Sequence, residues 1–386
     1  MAMFRFLTAG ESHGPCLTAV IEGLPAGLSI NIEEINHDLA RRQQGFGRGG
    51  RMKIEKDRVE LLSGMRFGQS LGSPLTMTIR NRDWENWQER MSPDGKTTGP
   101  AVTSPRPGHA DLSGVLKYQR QDVRDILERA SARETAARVA VGGVAKQLLA
   151  IVGMKVASHV VNIGGAAISP HPAYQYQDVD NLKADSDLGC IDAAAAAKMK
   201  AAIQAAMEQG DTLGGIFEVV VTGALPGLGS YVQWDRRLDT RLGGALLSIP
   251  AIKGVEIGEG FNYAALPGSQ AHDEIFYDSQ QGFYRKTNRA GGIEGGMSNG
   301  GEIVARAVMK PIPTLMSPLA SVDIMTRKVS RANTERSDVC AVSAAAVVGE
   351  AMTAIVLAEA VLEKFGGDSV GDLLAAVESY RHRLDQ

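Results

Sequence analysis

The sequence predicts an α+β fold, and three stretches carry this prediction. Between residues 16 and 21, Leu17, Ala19 and Ile21 occupy every second position, which is the period of a half-buried strand. After Ser131, apolar residues recur every three or four positions, which is the period of an amphipathic helix. The apolar segment 341–362 predicts a further, long helix. Strands and helices therefore share the chain.

The other elements follow from the same two periods. Strands are predicted at residues 4–7, 16–21, 59–62, 75–79, 155–163, 217–222 and 303–308. Helices are predicted after caps at Asn31, Ser131 and Asp235, and in segments 192–209 and 341–362. The polar segment 83–100 predicts a long loop, and the run 288–301 is too rich in glycine for regular structure.

Composition narrows the class of protein. The chain has 386 residues, of which 44% are hydrophobic and 22% charged, so it is long enough for a large core. Its net charge of -3 gives no overall basic field for nucleic acid. Two basic clusters predict sites for small anions, with solvated surface as the alternative: Arg41, Arg42, Arg48, Arg51, Lys53, Lys56 and Arg58, and then Lys117, Arg120, Arg124, Arg129 and Arg133.

Cysteine usage and the N-terminus predict a cytoplasmic location. Cys16, Cys190 and Cys340 are isolated in the sequence, so no spacing suggests zinc, and scattered cysteines are typical of a reducing compartment. The N-terminus lacks a secretory signal pattern, and no uninterrupted apolar run approaches 18 residues. We expect neither a membrane span nor a metal.

The stretch around Ser131 predicts an anion site. Ser131 and Glu134 form an S-x-x-E capping box, which is typical of a helix start. A helix N-terminus offers unpaired N–H groups and partial positive charge. Arg129, Arg133 and Arg138 add three charges around the first turn. A phosphate site and a well-capped surface helix both fit this pattern.

The loop at residues 10–14 matches G-x-S-x-G, the nucleophile elbow of serine hydrolases. An elbow requires a helix after the serine, whereas a strand is predicted after Ser12, so the context disfavours a hydrolase. His13 is then a candidate acid or base on a glycine-flanked loop. A simple turn histidine is the alternative.

The segment 41–50 contains Gly45, Gly47 and Gly50 in the spacing of a dinucleotide fingerprint. That fingerprint needs a strand before it and a helix after it, and here the order is reversed, so a Rossmann site is rejected. A flexible arginine loop that closes over an anion remains, with a disordered loop as the alternative.

Three further segments carry candidate site residues. His109 lies in a stiff turn near Arg106 and Asp111, whose charges can tune its protonation. Lys310 precedes a proline-rigid segment that suits a planar anionic ligand, an edge-strand exit being the alternative. Asp338 precedes the last long helix, either as its cap or as a base beside Arg336.

Two segments that lie 98 residues apart share a weak sequence similarity, which we call the internal echo. Leu148-Leu149 before Ile151 and Lys155 resembles Leu246-Leu247 before Ile249 and Lys253. The echo indicates either a duplicated helix–strand unit or a chance match.

Taken in order, these segments resemble the chorismate synthase family from about residue 4 to residue 362. The resemblance rests on the loops at 10–14 and 106–111, the helix start at 129–138, the glycine run to Gly301, and Arg336-Ser337-Asp338. It implies a single domain over residues 1–386, folded as a β-α-β sandwich with internal pseudo-symmetry and assembled as a homotetramer.

The resemblance also implies an activity. Members of the family convert 5-enolpyruvylshikimate 3-phosphate to chorismate by an anti-1,4 elimination of phosphate, in the shikimate pathway of aromatic amino-acid biosynthesis. The reaction requires reduced FMN but no net redox change. NADPH is a possible reductant, and the sequence leaves open whether the chain reduces its own flavin or depends on an external reductase.

Family positions imply roles for individual residues. His13 would protonate the region of the departing phosphate, His109 would sit at the pyrimidine edge of the flavin, and Asp338 would lie beside flavin N5. The cofactor-binding positions fall on Arg129, Ala130, Ser131, Pro250, Ala251, Gly295, Lys310, Pro311, Ile312, Pro313, Thr314 and Arg336. Arg42, Arg48 and Arg133 would bind the phosphate of the substrate or of NADPH.

Two other functions stay open on the sequence. One is a serine hydrolase with Ser12 as the nucleophile, and the other is a binding module whose arginine loops hold a phosphate ligand without chemistry.

Overall fold

The structure is a computed structural model, and it describes residues 4–50, 54–94, 99–169, 174–182, 186–280, 282–335 and 337–384. Strands β1 to β17 are Arg5–Ala9, Cys16–Glu22, Val59–Ser63, Met65–Arg66, Gln69–Ser70, Leu75–Arg80, Lys155–Ile163, Ala166–Ala167, Gly215–Thr222, Ile252–Ile257, Ile275–Asp278, Gly282–Arg285, Ile293–Glu294, Met297–Ser298, Ile303–Met309, Ala320–Val322 and Val329–Arg331. Helices α1 to α10 are Ile32–Gln43, Asp111–Tyr118, Arg124–Ala130, Thr135–Ile151, Tyr176–Asp180, Ala193–Glu208, Leu238–Leu247, Gly268–Ala271, Val342–Phe365 and Val370–Leu384.

The N-terminal sheet has four antiparallel strands in the order β1-β2-β6-β3. Its inner face is formed by the alternating residues that predicted β2, since Leu17, Ala19 and Ile21 are almost completely buried. Met77 and Ile79 on β6 pair with Ala19 and Leu17 across the ladder and are equally buried. The predicted alternation is confirmed because one face of the sheet packs on the core.

The second sheet has five antiparallel strands in the order β10-β15-β9-β7-β8. The sequence predicted β7 at its observed bounds, Lys155–Ile163, and β15 and β9 to within two residues. Both faces of β7 and β9 are largely buried, so these strands form near-continuous apolar runs rather than alternating ones.

Helices lie between the two sheets. α4 packs against β2 and β6 of the first sheet, and α9 packs against β7 and β9 of the second. The two helices approach so closely that a Cβ on Gly142 would lie 2.3 Å from the Cβ of Ala351. On the other side of α9, a Cβ on Gly349 would lie 2.4 Å from the Phe217 ring. These contacts build a sheet–helix–sheet sandwich and confirm the α+β prediction.

α9 has the length and composition of a membrane span, yet it is buried almost throughout within the described protein. The helix agrees with the long apolar helix predicted at residues 341–362, in which Ser343 and Glu350 interrupt the apolar run. Glu350 is compensated inside the core, as its carboxylate contacts Arg41, Lys146 and Ser158. The helix therefore belongs to the core of the sandwich.

The two halves of the internal echo fall on matching elements. α4 leads into β7, and α7 leads into β10 of the same sheet, while both helices pack against α9. This arrangement supports the duplicated helix–strand unit.

The sequence predicted where helices lie better than it predicted the residues at which they begin. Asn31 caps α1 as expected, by accepting from the N–H of Glu33, and Asp192 caps α6. The prediction that Asp235 caps α7 was wrong, because Asp235 lies in a 3-10 turn, Trp234–Arg236, and the helix begins at Leu238. A second 3-10 turn, Arg82–Asn86, interrupts the predicted loop at 83–100.

Candidate active site

A cavity of about 590 Å³ opens where the β1–β2 turn, the α3–α4 junction, the segment after β15 and the segment before α9 meet. It brings His13, His109, Asp338 and Ser131 together within one chain, although they are separated by more than 300 residues in sequence. The other sequence-predicted residues that line it are Arg42, Arg48, Ala130, Arg133, Pro250, Ala251, Lys310, Ile312, Pro313 and Thr314.

His13 is held from several sides. Its Nδ1 lies 2.9 Å from Oε1 of Glu128, and its backbone N–H donates to Oε2 of the same carboxylate at 2.8 Å. Its ring stacks on Trp87 with 4.0 Å between centroids. Arg124 donates to Glu128 at 2.7 Å. His13 therefore sits in a rigid, buried support at the cavity wall.

Burial alone would raise the pKa of Glu128, but the hydrogen bonds from His13 and Arg124 outweigh it and leave that pKa below its ordinary value. Glu128 is thus a carboxylate that accepts hydrogen bonds.

His109 has a partner of the same kind. Its Nδ1 lies 2.5 Å from Oδ1 of Asp111, and Arg106 donates to Oδ2 of Asp111 at 2.9 Å and to Thr314 Oγ1 at 2.9 Å. Burial opposes ionisation of Asp111, but the hydrogen bonds from His109 and Arg106 hold its pKa well below its ordinary value. The sequence anticipated this group, since its members lie within six residues.

Asp338 does not cap α9, because that helix begins four residues later, at Val342. Its Oδ1 instead accepts the backbone N–H of Gly49 at 2.6 Å, and its Oδ2 lies 3.2 Å from Arg48. The arginine loop therefore closes onto the segment before α9 and places the carboxylate at the cavity wall.

Two buried arginines share one carboxylate behind the cavity. Arg133 donates to both oxygens of Asp57 at 2.6 and 2.7 Å, and Arg42 donates to Oδ2 at 3.0 Å. Burial would raise the pKa of Asp57, but the two guanidinium groups lower it. Nε of Arg42 and Nη2 of Arg133 are buried and have no hydrogen-bond partner among the described residues, although Nη2 of Arg133 lies 3.8 Å from Oε2 of Glu55.

The turn at Ser131 differs from a simple capping box. Ser131 Oγ accepts from the N–H of Arg133 and starts a 3-10 turn, Ala132–Glu134, before α4 begins at Thr135. The Glu134 side chain pairs with Arg138 instead of the Ser131 backbone. Ser12 Oγ lies 3.2 Å from Ser131 Oγ, and the strand β2 follows it, so the geometry of a nucleophile elbow is not formed.

The opposite wall is formed by backbone-rigid segments. Ala251 adopts a positive φ of 71° and its carbonyl accepts the N–H of Lys310 at 3.0 Å. The Lys310 ammonium donates to the Gly108 carbonyl, beside His109. Burial, together with Lys253, lowers the pKa of Lys310. This wall joins two segments that lie about 200 residues apart.

Four sequence-predicted positions lie elsewhere or cannot be placed. Arg129 is exposed and donates to the carbonyls of Gly10 and Thr8, outside the cavity lining. Gly295 lies at an exposed hairpin turn between β13 and β14, and Pro311 is also absent from the lining within the described chain. Arg336 lies outside the described residues.

Sequence reasoning missed Glu128, Asp57 and Trp87. Each contacts a site residue that is far away in sequence, 115 residues in the case of His13 and Glu128. The i,i+4 spacing of Arg124 and Glu128 was the one local signal, and it indicated only a helix-surface pair.

Comparison with known proteins adds an independent observation. A family model described as chorismate synthase matches residues 4–362. The chain is 58% identical over 387 residues to the chorismate synthase of Geobacter sulfurreducens, covering 98% of each, and 56% identical over 386 residues to that of Desulforamulus reducens, covering 100% of each. It also resembles a solved structure described as a crystal structure of chorismate synthase, with a TM-score of 0.81 and 44% identity over 99% of this chain and 98% of that one. These matches confirm the family resemblance drawn from the sequence.

Proposed function

The chain belongs to the chorismate synthase family, and we propose that the cavity lined by His13, His109 and Asp338 is its active site. The reaction of the family is the anti-1,4 elimination of phosphate from 5-enolpyruvylshikimate 3-phosphate, which gives chorismate in the shikimate pathway. The protein is accordingly a carbon–oxygen lyase that acts on a phosphate. The convergence of the three side chains in one cavity carries the proposal.

The charge of the cavity suits the substrate, which bears two carboxylates and a phosphate. Arg42, Arg48, Arg106, Arg133 and Lys310 all face it. Buried partners such as Asp57 and Asp111 fix these guanidinium groups, so little side-chain entropy remains to be lost when an anion binds. Charge-assisted, often bidentate contacts are the strong hydrogen bonds that phosphate recognition needs.

The same cavity fits the reduced FMN that the family requires. Its volume of about 590 Å³ lies in the range of small-molecule sites. Arg42 and Arg133 line the cavity, and their guanidinium groups would bind the oxygens of a phosphate. The turn at Ser131 and the rigid walls at Pro250–Ala251 and Lys310–Pro313 would hold the cofactor. When bound, reduced flavin supplies electron density to the substrate while the protein binds, orients and controls protons.

His13, His109 and Asp338 would each have a separate role in proton transfer. His13 presents a ring nitrogen to the cavity and would hold a proton at Nε2 for the departing phosphate. His109 would present Nε2 to the bound cofactor, because Asp111 occupies its Nδ1, and the charged form of the ring would hold a proton there. Asp338, fixed by the Gly49 N–H, would hold its carboxylate beside the bound cofactor and so assist the removal of the proton from C6.

The test is turnover of 5-enolpyruvylshikimate 3-phosphate with chemically reduced FMN in the absence of oxygen. We expect chorismate and phosphate in equal amounts. We expect His13→Ala and His109→Ala each to lower kcat by about 10²- to 10⁴-fold, the usual contribution of a positioned acid or base, while oxidised FMN still binds. An unchanged rate in either variant removes that histidine from the mechanism. A wild-type protein that binds the substrate without forming product would instead be a phosphate-ligand binding module.

Two cheaper experiments address what the sequence left open. Turnover with NADPH as the only reductant, in air, would indicate that the chain reduces its own flavin, and its absence would indicate an external reductase. A fluorophosphonate probe should leave Ser12 unlabelled, because Ser12 Oγ faces Ser131 and a strand follows it.

We further propose a homotetrameric, cytoplasmic enzyme that binds neither nucleic acid nor membrane.

A further inference from the structure

We propose that Glu128 is a positioning residue that fixes the tautomer and the orientation of the His13 imidazole. The inference rests on the proposed function, in which His13 donates a proton at the departing phosphate. It adds a residue that acts through His13 and does not itself line the cavity.

Glu128 holds the turn before β2 at three points. Its backbone carbonyl accepts the N–H of Ser12 at 3.0 Å. Its carboxylate accepts the backbone N–H of His13 at 2.8 Å and contacts the ring Nδ1 at 2.9 and 3.0 Å. Main chain and side chain of His13 are therefore fixed by the same residue. Because Glu128 lies in the last turn of α3, the position of His13 is coupled to the Ser131 turn that follows.

The charge of Glu128 decides the tautomer. A carboxylate can only accept, so the hydrogen between it and His13 must belong to Nδ1. In the neutral ring, Nε2 then carries the lone pair, and in the charged ring Nε2 carries the transferable proton. A histidine with no partner at Nδ1 can place its single proton on either nitrogen. Glu128 thus assigns Nε2, on the other side of the ring, to the ligand.

The face of the ring is fixed as well. Trp87 stacks on His13 with an interplanar angle of 26°, and the guanidinium of Arg124 lies 4.9 Å from the Trp87 ring. Arg124 also donates to Glu128, which closes a compact group around the imidazole. With one edge held by Glu128 and one face covered by Trp87, the ring has little freedom to rotate.

The chain offers a matched control in a second buried histidine–glutamate pair. His159 Nε2 lies 3.0 Å from Oε1 of Glu218 on the second sheet, and neither residue lines the cavity within the described chain. Burial opposes ionisation of Glu218, but its contacts with His159 and Arg306 lower its pKa, as His13 and Arg124 do for Glu128. Glu218→Gln therefore carries a similar structural cost with no route to His13.

The first measurement is the tautomer of His13 in the full-length protein labelled with ¹⁵N-histidine. The shifts of the two ring nitrogens distinguish protonated from unprotonated nitrogen, and His13→Ala assigns the signal by its loss. We expect Nδ1 to be protonated in the wild type and the proton to be shared between both nitrogens in Glu128→Gln, since an amide can donate as well as accept. Glu128→Ala provides a second variant in which the His13 tautomer can be measured. In both variants Arg124 keeps Glu335 as a partner, so its charge is not left unpaired.

The second measurement is turnover with reduced FMN in a double-mutant cycle. Glu128→Gln should lower kcat by about 10²-fold in the wild-type background, because a misoriented ring loses most of its acid catalysis. In the His13→Ala background the same change should cost less than about twofold, since residues that act as a unit are not additive. Glu218→Gln should leave kcat at the wild-type value.

The outcomes distinguish a failure of this inference from a failure of the proposed function on which it rests. A Glu128→Gln protein that keeps the wild-type tautomer overturns the role of Glu128, and so does one that loses as much activity without His13 as with it. Full turnover in His13→Ala would instead remove His13 from the reaction, whichever tautomer His13 adopts in the wild type.

Discussion

At the scale of single residues, the candidate site depends on buried carboxylates that hold histidines. Asp111 orients His109 and is itself held by Arg106, just as Glu128 orients His13. Each carboxylate is ionised in the fold because its hydrogen bonds outweigh the cost of burial. Removing one of them therefore leaves a buried cation and a loose imidazole.

We expect Asp111→Asn to lower the free energy of unfolding at pH 7 by about 3 kcal/mol, the cost of breaking a buried charged pair. The pKa of Asp111 is lower in the fold than in the unfolded chain. Its contribution is therefore complete above the unfolded value, about 4, and is lost as the pH falls from there through the folded value. Urea unfolding at pH 7 and at successively lower pH measures the gap between wild type and variant, which should narrow below about pH 4.

The control is Asp125→Asn, which removes the exposed pair with Arg120 and should change stability by less than about 1 kcal/mol. A gap between Asp111→Asn and wild type that stays constant down to the acid transition would contradict the argument.

The sequence predicted site residues best where their partners are local. Arg106, His109 and Asp111 were grouped because they lie in one turn. Glu128 was missed because its hydrogen bonds to His13 span 115 residues, and periodicity and caps carry no information at that range. For Asp338 the local signal was misleading: an aspartate before a helix usually caps it, but here Gly49, 289 residues away, is the donor.

At the scale of elements, α9 is the clearest case of a helix stabilised by its surroundings. It is buried on all sides by α4, α7 and the second sheet. Glu350 lies in its middle and contacts Arg41 at 2.7 Å, with Lys146 and Ser158 as further partners. These contacts hold the pKa of Glu350 well below its ordinary value although burial opposes it.

We expect Glu350→Gln to destabilise the fold by about 3 to 5 kcal/mol, because Arg41 and Lys146 would then share only Asp38. Glu363→Gln lies on the same helix but removes partly exposed pairs with Arg236 and Arg241, so it should cost less than about 1 kcal/mol. Thermal or urea unfolding of both variants makes the comparison. If both variants lost the same free energy of unfolding, the burial of Glu350 would not explain how much its ion pairs stabilise the fold.

Elements were predicted better than their ends. The strand at 155–163 was exact and the cap of α1 was correct, because alternation and an asparagine cap act within a few residues. The start of α7 was wrong, since the 3-10 turn at Trp234–Arg236 moves the cap by two residues, from Asp235 to Arg237. Residues 111–118 and 124–130 form helices that the sequence analysis did not identify, because their apolar pattern is short.

At the scale of the whole molecule, the sandwich is closed by its helices, while several apolar side chains remain outside. Ile275, Tyr277 and Phe283 on the hairpin β11–β12 are each more than 60% exposed. Exposed apolar groups that cluster on one element are typical of association surfaces. They support the proposed homotetramer.

We expect light scattering of the purified protein to give about four times the chain mass of 41.0 kDa. Tyr277→Glu should shift the mass toward smaller species, because a charge cannot be buried against an apolar partner without a large desolvation cost. Glu274→Gln, on the residue just before the hairpin, is the matched surface change and should leave the mass unaltered. A mass of one chain for the wild type would contradict the tetramer.

The central position of α9 also has a consequence for biosynthesis. The first sheet is complete by residue 80, but the helix that fills the middle of the sandwich begins only at residue 342. On the ribosome, the nascent chain must therefore carry the apolar side of the second sheet, and the face of α4 that α9 covers, without this helix until nearly nine-tenths of the chain has been made. Slow translation or an early stop codon should expose these surfaces to chaperones and proteases, so fragments that end before residue 342 should be recovered as aggregates.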